Sequence, residues 1–356
     1  MINLWQKILS AIRKGLIKIG IIKQINELTE LENIPDNSEM YNLIEMWKSL
    51  YKGYYAEWHD IKYHTIDGPK SRRMDTINLA KTASNEMASL VFNERCEISI
   101  GDDDNPTAEF VDDVLAKNKF NKKFQDYLEY SFALGGMVIK PYVYNGEIKL
   151  SFVTADCFIP VSWQNDNIYE AVFINESQRG KKYYTLLEWH TWDNGTYVIR
   201  NDLYESDTQN EIGYPVSLST LYPDLEEEVR IENIKKPLFV YFKPNTANNF
   251  DTQSPLGISL YANALDTMKA IDTAFDSFHR EFRLGKKRIF VPDSMIRTVY
   301  DEKGRPQRYF DSSDEVYQGY PGDMDETKIH DIKVELRVEE HIAAINALLN
   351  IFAMQT

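Results

Sequence analysis

Ser254-Pro-Leu-Gly-Ile-Ser-Leu-Tyr-Ala-Asn-Ala-Leu-Asp-Thr-Met-Lys-Ala-Ile-Asp-Thr-Ala-Phe-Asp-Ser-Phe-His-Arg-Glu-Phe-Arg-Leu-Gly285 is the stretch on which the reading of this chain turns. Tyr261, Ala264 or Leu265, Met268, Ile271, Phe275, Phe278 and Phe282 recur at steps of three and four residues. Asp266, Lys269, Asp272, Asp276 and Arg280 fall on the other faces. That spacing predicts one uninterrupted amphipathic helix of about 26 residues, roughly 40 Å long, ended by Gly285.

Downstream, Lys286-Lys287-Arg288 opens a strand to Val291, and Ile296–Tyr300 and Pro306–Phe310 flank Asp301-Glu-Lys-Gly304 as a hairpin. A second amphipathic helix follows, with Val338, Ile342, Ile345, Leu349 and Phe352 again at helical steps. Two long helices thus bracket a small β-rich module. The last stripe runs almost to Thr356 without a Gly or Asn stop, which suggests a chain cut short.

Upstream, Lys243 to Pro255 is polar and turn-rich, a boundary. From Met137 to Tyr241 the apolar period is two: Val138–Tyr144, Ile148–Val153, Tyr169–Ile174, Tyr183–Trp192, Thr196–Asn201 and Leu238–Phe242 read as strands. Asn145-Gly146 and Asn194-Gly195 are two-residue hairpin turns. Before the strands, helices are expected from Ser38 through Leu50, from Arg72 to Asn93, and in two pieces between Pro106 and Gly135. A short strand, Glu97–Ile100, and an acidic loop at Asp102-Asp-Asp104 lie between them. The fold class is α+β.

Met1 to Lys23 carries Lys7, Arg13, Lys14, Lys18 and Lys23 with no acid, a basic amphipathic arm. Lysines interrupt it too often for a signal peptide, and no stretch spans a membrane. Packing on the chain itself or a neighbour is favoured over membrane binding. No solenoid repeat is present.

The 356 residues, 43% hydrophobic, suffice for a substantial core, and the net charge of -15 opposes a role in gripping nucleic acid by phosphate neutralisation. An acidic channel that DNA slides past remains compatible with it. Cys96 and Cys157 alone point to a reducing compartment rather than a disulfide scaffold.

Motifs of catalysis are missing. No Gly-rich phosphate loop, H-E-x-x-H, C-x-x-C or G-x-S-x-G occurs, so an NTP-driven motor is disfavoured and no metal, cofactor or catalytic residue is assigned. His59 and His64 beside Asp60 read as loop histidines before metal ligands, and Glu226-Glu-Glu228 as a solvated loop. Trp189 and Trp192 fit a sheet core better than a sugar platform.

Ser254-Pro-Leu-Gly257, then Ser259-Leu-Tyr-Ala262 and the helix into Phe282-Arg-Leu-Gly-Lys-Lys-Arg-Ile-Phe-Val291, closely resembles the start of the stem in phage portal proteins of siphophages of Gram-positive hosts. Asn78-Leu-Ala-Lys81 to Ala88-Ser-Leu-Val-Phe-Asn-Glu94 resembles their wing helix, and Glu335 to Asn346 their returning stem helix. The segments occur in the family's order.

The resemblance implies a non-enzymatic, dodecameric ring at the capsid vertex of the virion, assembled in the host cytoplasm and used for DNA packaging and ejection. Residues 1–37 would form the arm, 38–243 the wing, 244–255 a linker, 256–285 and 335–356 the stem helices and 286–334 the clip. Channel loop and crown would lie beyond Thr356. Partners would be further copies of the chain, double-stranded DNA, the terminase large subunit, a head-tail adaptor, and major capsid and scaffolding proteins, without a membrane.

Met268, Ile271, Phe275, Phe278, Phe282, Ile342, Ile345 and Leu349 would pack between subunits. Asp266, Lys269, Asp272, Asp276 and Arg280 would line a bore of low DNA affinity. Lys286, Lys287, Arg288, Asp301 and Arg305 on the clip would meet terminase and adaptor, or the lysines would merely offset the helix dipole. Rival readings are another virion component, an adaptor or minor capsid protein, and a carbohydrate-binding or carbohydrate-active module on the aromatic sheet.

Overall fold

The computed structural model describes residues 34–35, 37–65, 68–93, 95–96, 98, 106–209, 211–285, 288–290, 297–300, 304, 306–309, 330–332 and 335–356. Helices and antiparallel strands share it, as an α+β fold requires. Helix α1 (Ser38–Tyr51) buries Met40, Tyr41, Ile44 and Trp47. The one-turn α2 (Ala56–His59) leads into a two-stranded ribbon, β1 (Asp60–Thr65) and β2 (Gly68–Arg73). Helices α3 (Leu79–Val91), α4 (Pro106–Lys117) and α5 (Phe120–Leu134) follow.

The expected helix from Arg72 is therefore shorter than its apolar spacing suggests. Arg72 and Arg73 belong to the ribbon, Asn78 sits in the left-handed region at φ 51°, and the helix starts only at Leu79. Its buried face is Ala80, Ser84 and Ala88, while Leu90 and Val91 are exposed. Ile98 is not in a strand, and Glu97, Ser99 and Ile100 lie outside the described residues, as do Asp102–Asp104 and the basic arm.

The period-two region forms two sheets. Strands β3 (Met137–Tyr144), β4 (Glu147–Thr154) and β11 (Val240–Phe242) make a three-stranded sheet in the order β11-β3-β4. A larger sheet runs β10-β8-β7-β6-β5, built from β5 (Phe158–Gln164), β6 (Asn167–Arg179), β7 (Lys182–Asp193), β8 (Thr196–Ser206) and β10 (Glu228–Ile231), with β9 (Tyr214–Val216) also on β8. Asn145 and Gly146 have φ of 51° and 74°, and Asn194 and Gly195 of 48° and 88°. Positive φ at both central residues is the type I′ signature of a tight hairpin.

One apolar core runs from Ile34 to Phe352 and joins both sheets to α1 and to residues 256–271. Buried tyrosine hydroxyls cross it, Tyr41 donating to the Phe158 carbonyl at 2.7 Å and Tyr261 to that of Trp47 at 2.9 Å. Within the larger sheet, Tyr197 Oη accepts from Leu238 N at 3.0 Å and lies 2.7 Å from His190 Nδ1. His190 Nε2 is 2.6 Å from Glu188 and must carry the ring proton, so Nδ1 accepts from Tyr197. Burial opposes ionisation of Glu188, yet the bond from His190 and the Lys140 ammonium hold its pKa at about 2.

The chain continues as α6 (Leu265–Leu284), then β12 (Arg288–Phe290) paired with β15 (His330–Ile332), the hairpin β13 (Arg297–Tyr300) and β14 (Pro306–Tyr309), and finally α7 (Val338–Gln355). The expected 26-residue helix is an α-helix of 20 residues. Its first turn is 3-10 instead, because Ala262 N and Ala264 N bond to Ser259 O and Tyr261 O, while the Ser259 hydroxyl is drawn to Phe132 O.

Candidate functional site: the paired helices

Three anchors fix α6. The first is a crossing of backbones. Gly135, at φ 88°, ends α5 and lies against Gly257, where a Cβ would meet the Gly135 carbonyl oxygen at 2.2 Å. Tyr241 Oη accepts from Gly257 N at 2.9 Å and donates to Gly135 O at 3.3 Å. Leu260 N donates to Phe132 O at 2.8 Å. The glycine of Ser254-Pro-Leu-Gly257 thus lets the chain pass close enough to α5 to deliver Tyr261, Met268 and Ile271 into the core.

The second anchor is a pair of carboxylates one helical turn apart. Asp272 accepts from Thr76 Oγ1 at 2.7 Å and Ile77 N at 3.3 Å, and faces the buried His59 Nε2 at 3.3 Å. Asp276 takes both terminal nitrogens of Arg72, at 2.6 and 2.5 Å, and Asp75 N at 3.1 Å. The Arg72 guanidinium holds the Asp276 carboxyl below its ordinary pKa. One turn further on, His279 Nδ1 lies 3.1 Å from Asp75.

The third anchor joins α6 to α7. Glu281 accepts from Arg337 N, Nε and Nη2 at 2.8, 3.2 and 3.0 Å and is 2.5 Å from His341 Nε2. These donors hold its pKa at about 2. Thr267 bonds Gln355 at 2.7 Å at the other end, so the helices run antiparallel. Phe278 packs on Phe282 and His341 between them.

This geometry redistributes the residues picked out from the sequence. Asp272 and Asp276, expected on a channel wall, are 6% and 4% exposed and bind this chain's own segment 59–77. Met268 and Ile271, expected between subunits, are buried in the chain's own core, and Leu349 packs against that core. Phe275, Phe278 and Ile345 are half-buried, whereas Phe282 and Ile342 are exposed at 46% and 47%. Asp266, Lys269 and Arg280 do share an open face, with Ala270, Thr273 and Ser277. Lys286, Lys287, Asp301 and Arg305 lie outside the described residues; Arg288 is described only as backbone in β12.

Sequence spacing missed a second stripe on α7. His341, Ile345, Leu348, Leu349 and Phe352 point to the chain, while Ala343, Ala347, Ile351 and Met354 form an exposed apolar strip on the opposite side. Isoleucines at 342 and 345 attract attention first; the alanines, also apolar and at steps of three and four, carried the signal. His59 faces inward rather than toward a metal, and Trp189 is buried rather than offered to a sugar. Among the described residues no helix is long and apolar enough to cross a membrane, and no group of three ligating side chains is placed to hold a metal ion.

No curated protein matches the chain. Residues 32–356, which include every anchor described above and both long helices, match the family described as phage portal protein, SPP1 Gp6-like, and the chain belongs to that family.

Proposed function

We propose that the chain builds a dodecameric ring through which double-stranded DNA enters and leaves the capsid, at the portal vertex of a virion assembled in the host cytoplasm. Residues 38–243 form its wing, α6 and α7 its stem, and residues 286–334 its clip. The observation that carries this reading is the α6–α7 pair, which after folding still has two unlike outer faces. One is small and polar, running Asp266, Lys269, Ala270, Thr273, Ser277 and Arg280; the other is the apolar strip of α7.

An apolar face left in water by the folded chain calls for a partner, and a closed ring supplies one by heterologous contacts between identical copies. The polar face then lines the bore, and the α7 strip meets the neighbouring subunit. The clip, with Lys286, Lys287, Arg288, Asp301 and Arg305, takes the terminase large subunit during packaging and the head-tail adaptor afterwards; the wing meets capsid and scaffolding proteins.

Light scattering tests the ring. Wild-type protein is expected at a mass many times that of the 41.5 kDa chain. Ala347→Glu, which puts a charge on the α7 strip, is expected to reduce the mass to that of one chain without lowering the thermal midpoint. A wild type that stays monomeric at every concentration, or a variant that still assembles, would refute the proposed packing.

A further inference from the structure

At the outer edge of β4, the last strand of its sheet, a pocket of about 290 Å³ opens between the two sheets. Val153, Phe173 and Leu186 give it apolar walls. Lys140 from the smaller sheet pairs there with Glu188 from the larger, its ammonium also lying 4.5 Å from the centre of the Phe173 ring.

Glu188 uses one oxygen for both of its partners, since His190 and Lys140 each bond Oε1. Oε2 takes no hydrogen bond among the described residues and is not closed off, the side chain being 25% exposed. Phe173 pairs with Glu188 and Asn175 with Leu186, so Asn175 stands on the same face two residues along β6. It is exposed, and its amide has no partner among the described residues. Backbone groups complete the site. The Asn118 amide donates to Ile148 O at 3.0 Å and accepts from Leu150 N at 2.9 Å, taking the place of a neighbouring strand on β4. Backbone groups alternate in direction along a strand, so Phe152, on the pocket rim, turns its N–H and C=O to the same side, where no strand pairs with it.

An open strand edge beside a pocket suits an extended segment whose alternate side chains enter that pocket. We infer that the edge of β4 takes such a segment of a partner protein, with a glutamine side chain in the pocket. Phe152 N–H and C=O bond the segment's backbone. The glutamine amide donates to Glu188 Oε2 and accepts from Asn175 Nδ2, and its methylenes lie along Val153 and Leu186. Lys140 and Glu188 set the charge of the guest: a cation entering the pocket meets the ammonium and an anion the carboxylate, whereas a neutral amide meets neither penalty. The inference rests on the two sheets alone and stands or falls independently of the ring.

Fluorescence anisotropy on the full chain with a labelled Thr-Val-Gln-Val-Thr amide tests it. Saturable binding is expected. Probes carrying Glu or Lys in place of the Gln, or methylated at the backbone nitrogens, should bind roughly tenfold more weakly, the scale of one charge-assisted hydrogen bond. Glu188→Gln should weaken the parent probe by a similar factor, and Asn175→Trp, which fills the pocket from its exposed rim, should abolish binding. Glu109→Gln, an exposed acid on α4, should match wild type. If Glu188→Gln fails to fold, Asn175→Trp decides alone. Absent binding, equal affinity for the Glu, Lys or methylated probes, or undiminished binding by Asn175→Trp would each overturn the inference.

Discussion

Replacing Gly257 with alanine should destabilise the protein more than the same change at the hairpin glycine Gly146. Gly257 does not have a positive φ, so alanine suffers no backbone penalty there and the whole cost is steric. Its Cβ would stand 2.2 Å from Gly135 O and 2.8 Å from Lys243 Cβ. Neither neighbour is the free end of a flexible side chain, so the two backbone segments must part by about 1 Å to restore ordinary contact. Parting lengthens the bonds from Gly257 N to Tyr241 and from Leu260 N to Phe132 O. Overpacking of this kind costs about 1–3 kcal/mol and a weakened buried hydrogen bond about 1 kcal/mol more, so about 3 kcal/mol is expected in all. Gly146→Ala is the control, because its Cβ meets nothing within 4 Å and only its φ of 74° resists, at about 1 kcal/mol. Urea unfolding followed by circular dichroism measures both. Equal losses would mean that the crossing is loose and that Gly257 does not set the approach of α6 to the core.

Asp276→Asn should cost about 2 kcal/mol in the same assay, less than a wholly buried pair would because Arg72 keeps contact with solvent. The depressed Asp276 carboxyl stabilises the fold above the ordinary carboxylate pKa, and that contribution is lost as pH falls below it; the variant's thermal midpoint should therefore fall less than wild type's on acidification. Glu281, held at about 2, loses its contribution between pH about 4.5 and about 2, so Glu281→Gln should also flatten the acid limb; an unchanged limb would show that Arg337 and His341 do not hold it. Tyr261→Phe removes one buried hydrogen bond to Trp47 O and should cost about 1 kcal/mol; no loss at all would mean that the carbonyl finds another donor.

Local chemistry made much of this architecture legible. Asn145-Gly146 and Asn194-Gly195 announce their hairpins because positive φ at two successive residues suits few other pairs, and Gly135 ends its helix in the left-handed region. Strand β5 escaped notice because Pro160 and shifts of register between Pro160 and Trp163 break its alternation. Ile77 and Met87 are spaced for a helix whether or not the ribbon has ended, so apolar spacing alone starts α3 too early. Asp272 and Asp276 looked like solvent-facing charges because their partners, Thr76 and Arg72, lie about 200 residues away in sequence. A charge on an amphipathic helix announces only that it is off the apolar stripe, not what neutralises it.

Burial of those two carboxylates changes the argument for a weak channel wall rather than removing it. With Asp272 and Asp276 directed to the chain's own segment 59–77, the open face of α6 keeps only Asp266, Lys269 and Arg280 as charges. Thr273 and Ser277 turn their hydroxyls back to the carbonyls of Lys269 and Thr273, both at 2.8 Å, which withdraws those donors from any phosphate. A wall in the proposed ring therefore repels DNA little and grips it little. Its low affinity follows from sparse, mixed charge, since each neutralised phosphate adds a salt-dependent increment of binding. If acid repulsion kept DNA off the wall, neutralising Asp266 would raise affinity sharply; if sparse charge does, Thr273→Lys and Ser277→Lys should raise it more, because each adds a new phosphate contact to a face that has few. Filter binding of double-stranded DNA to assembled rings across a salt series separates the two, and a larger gain from Asp266→Asn than from the lysine variants would return the acidic wall to favour.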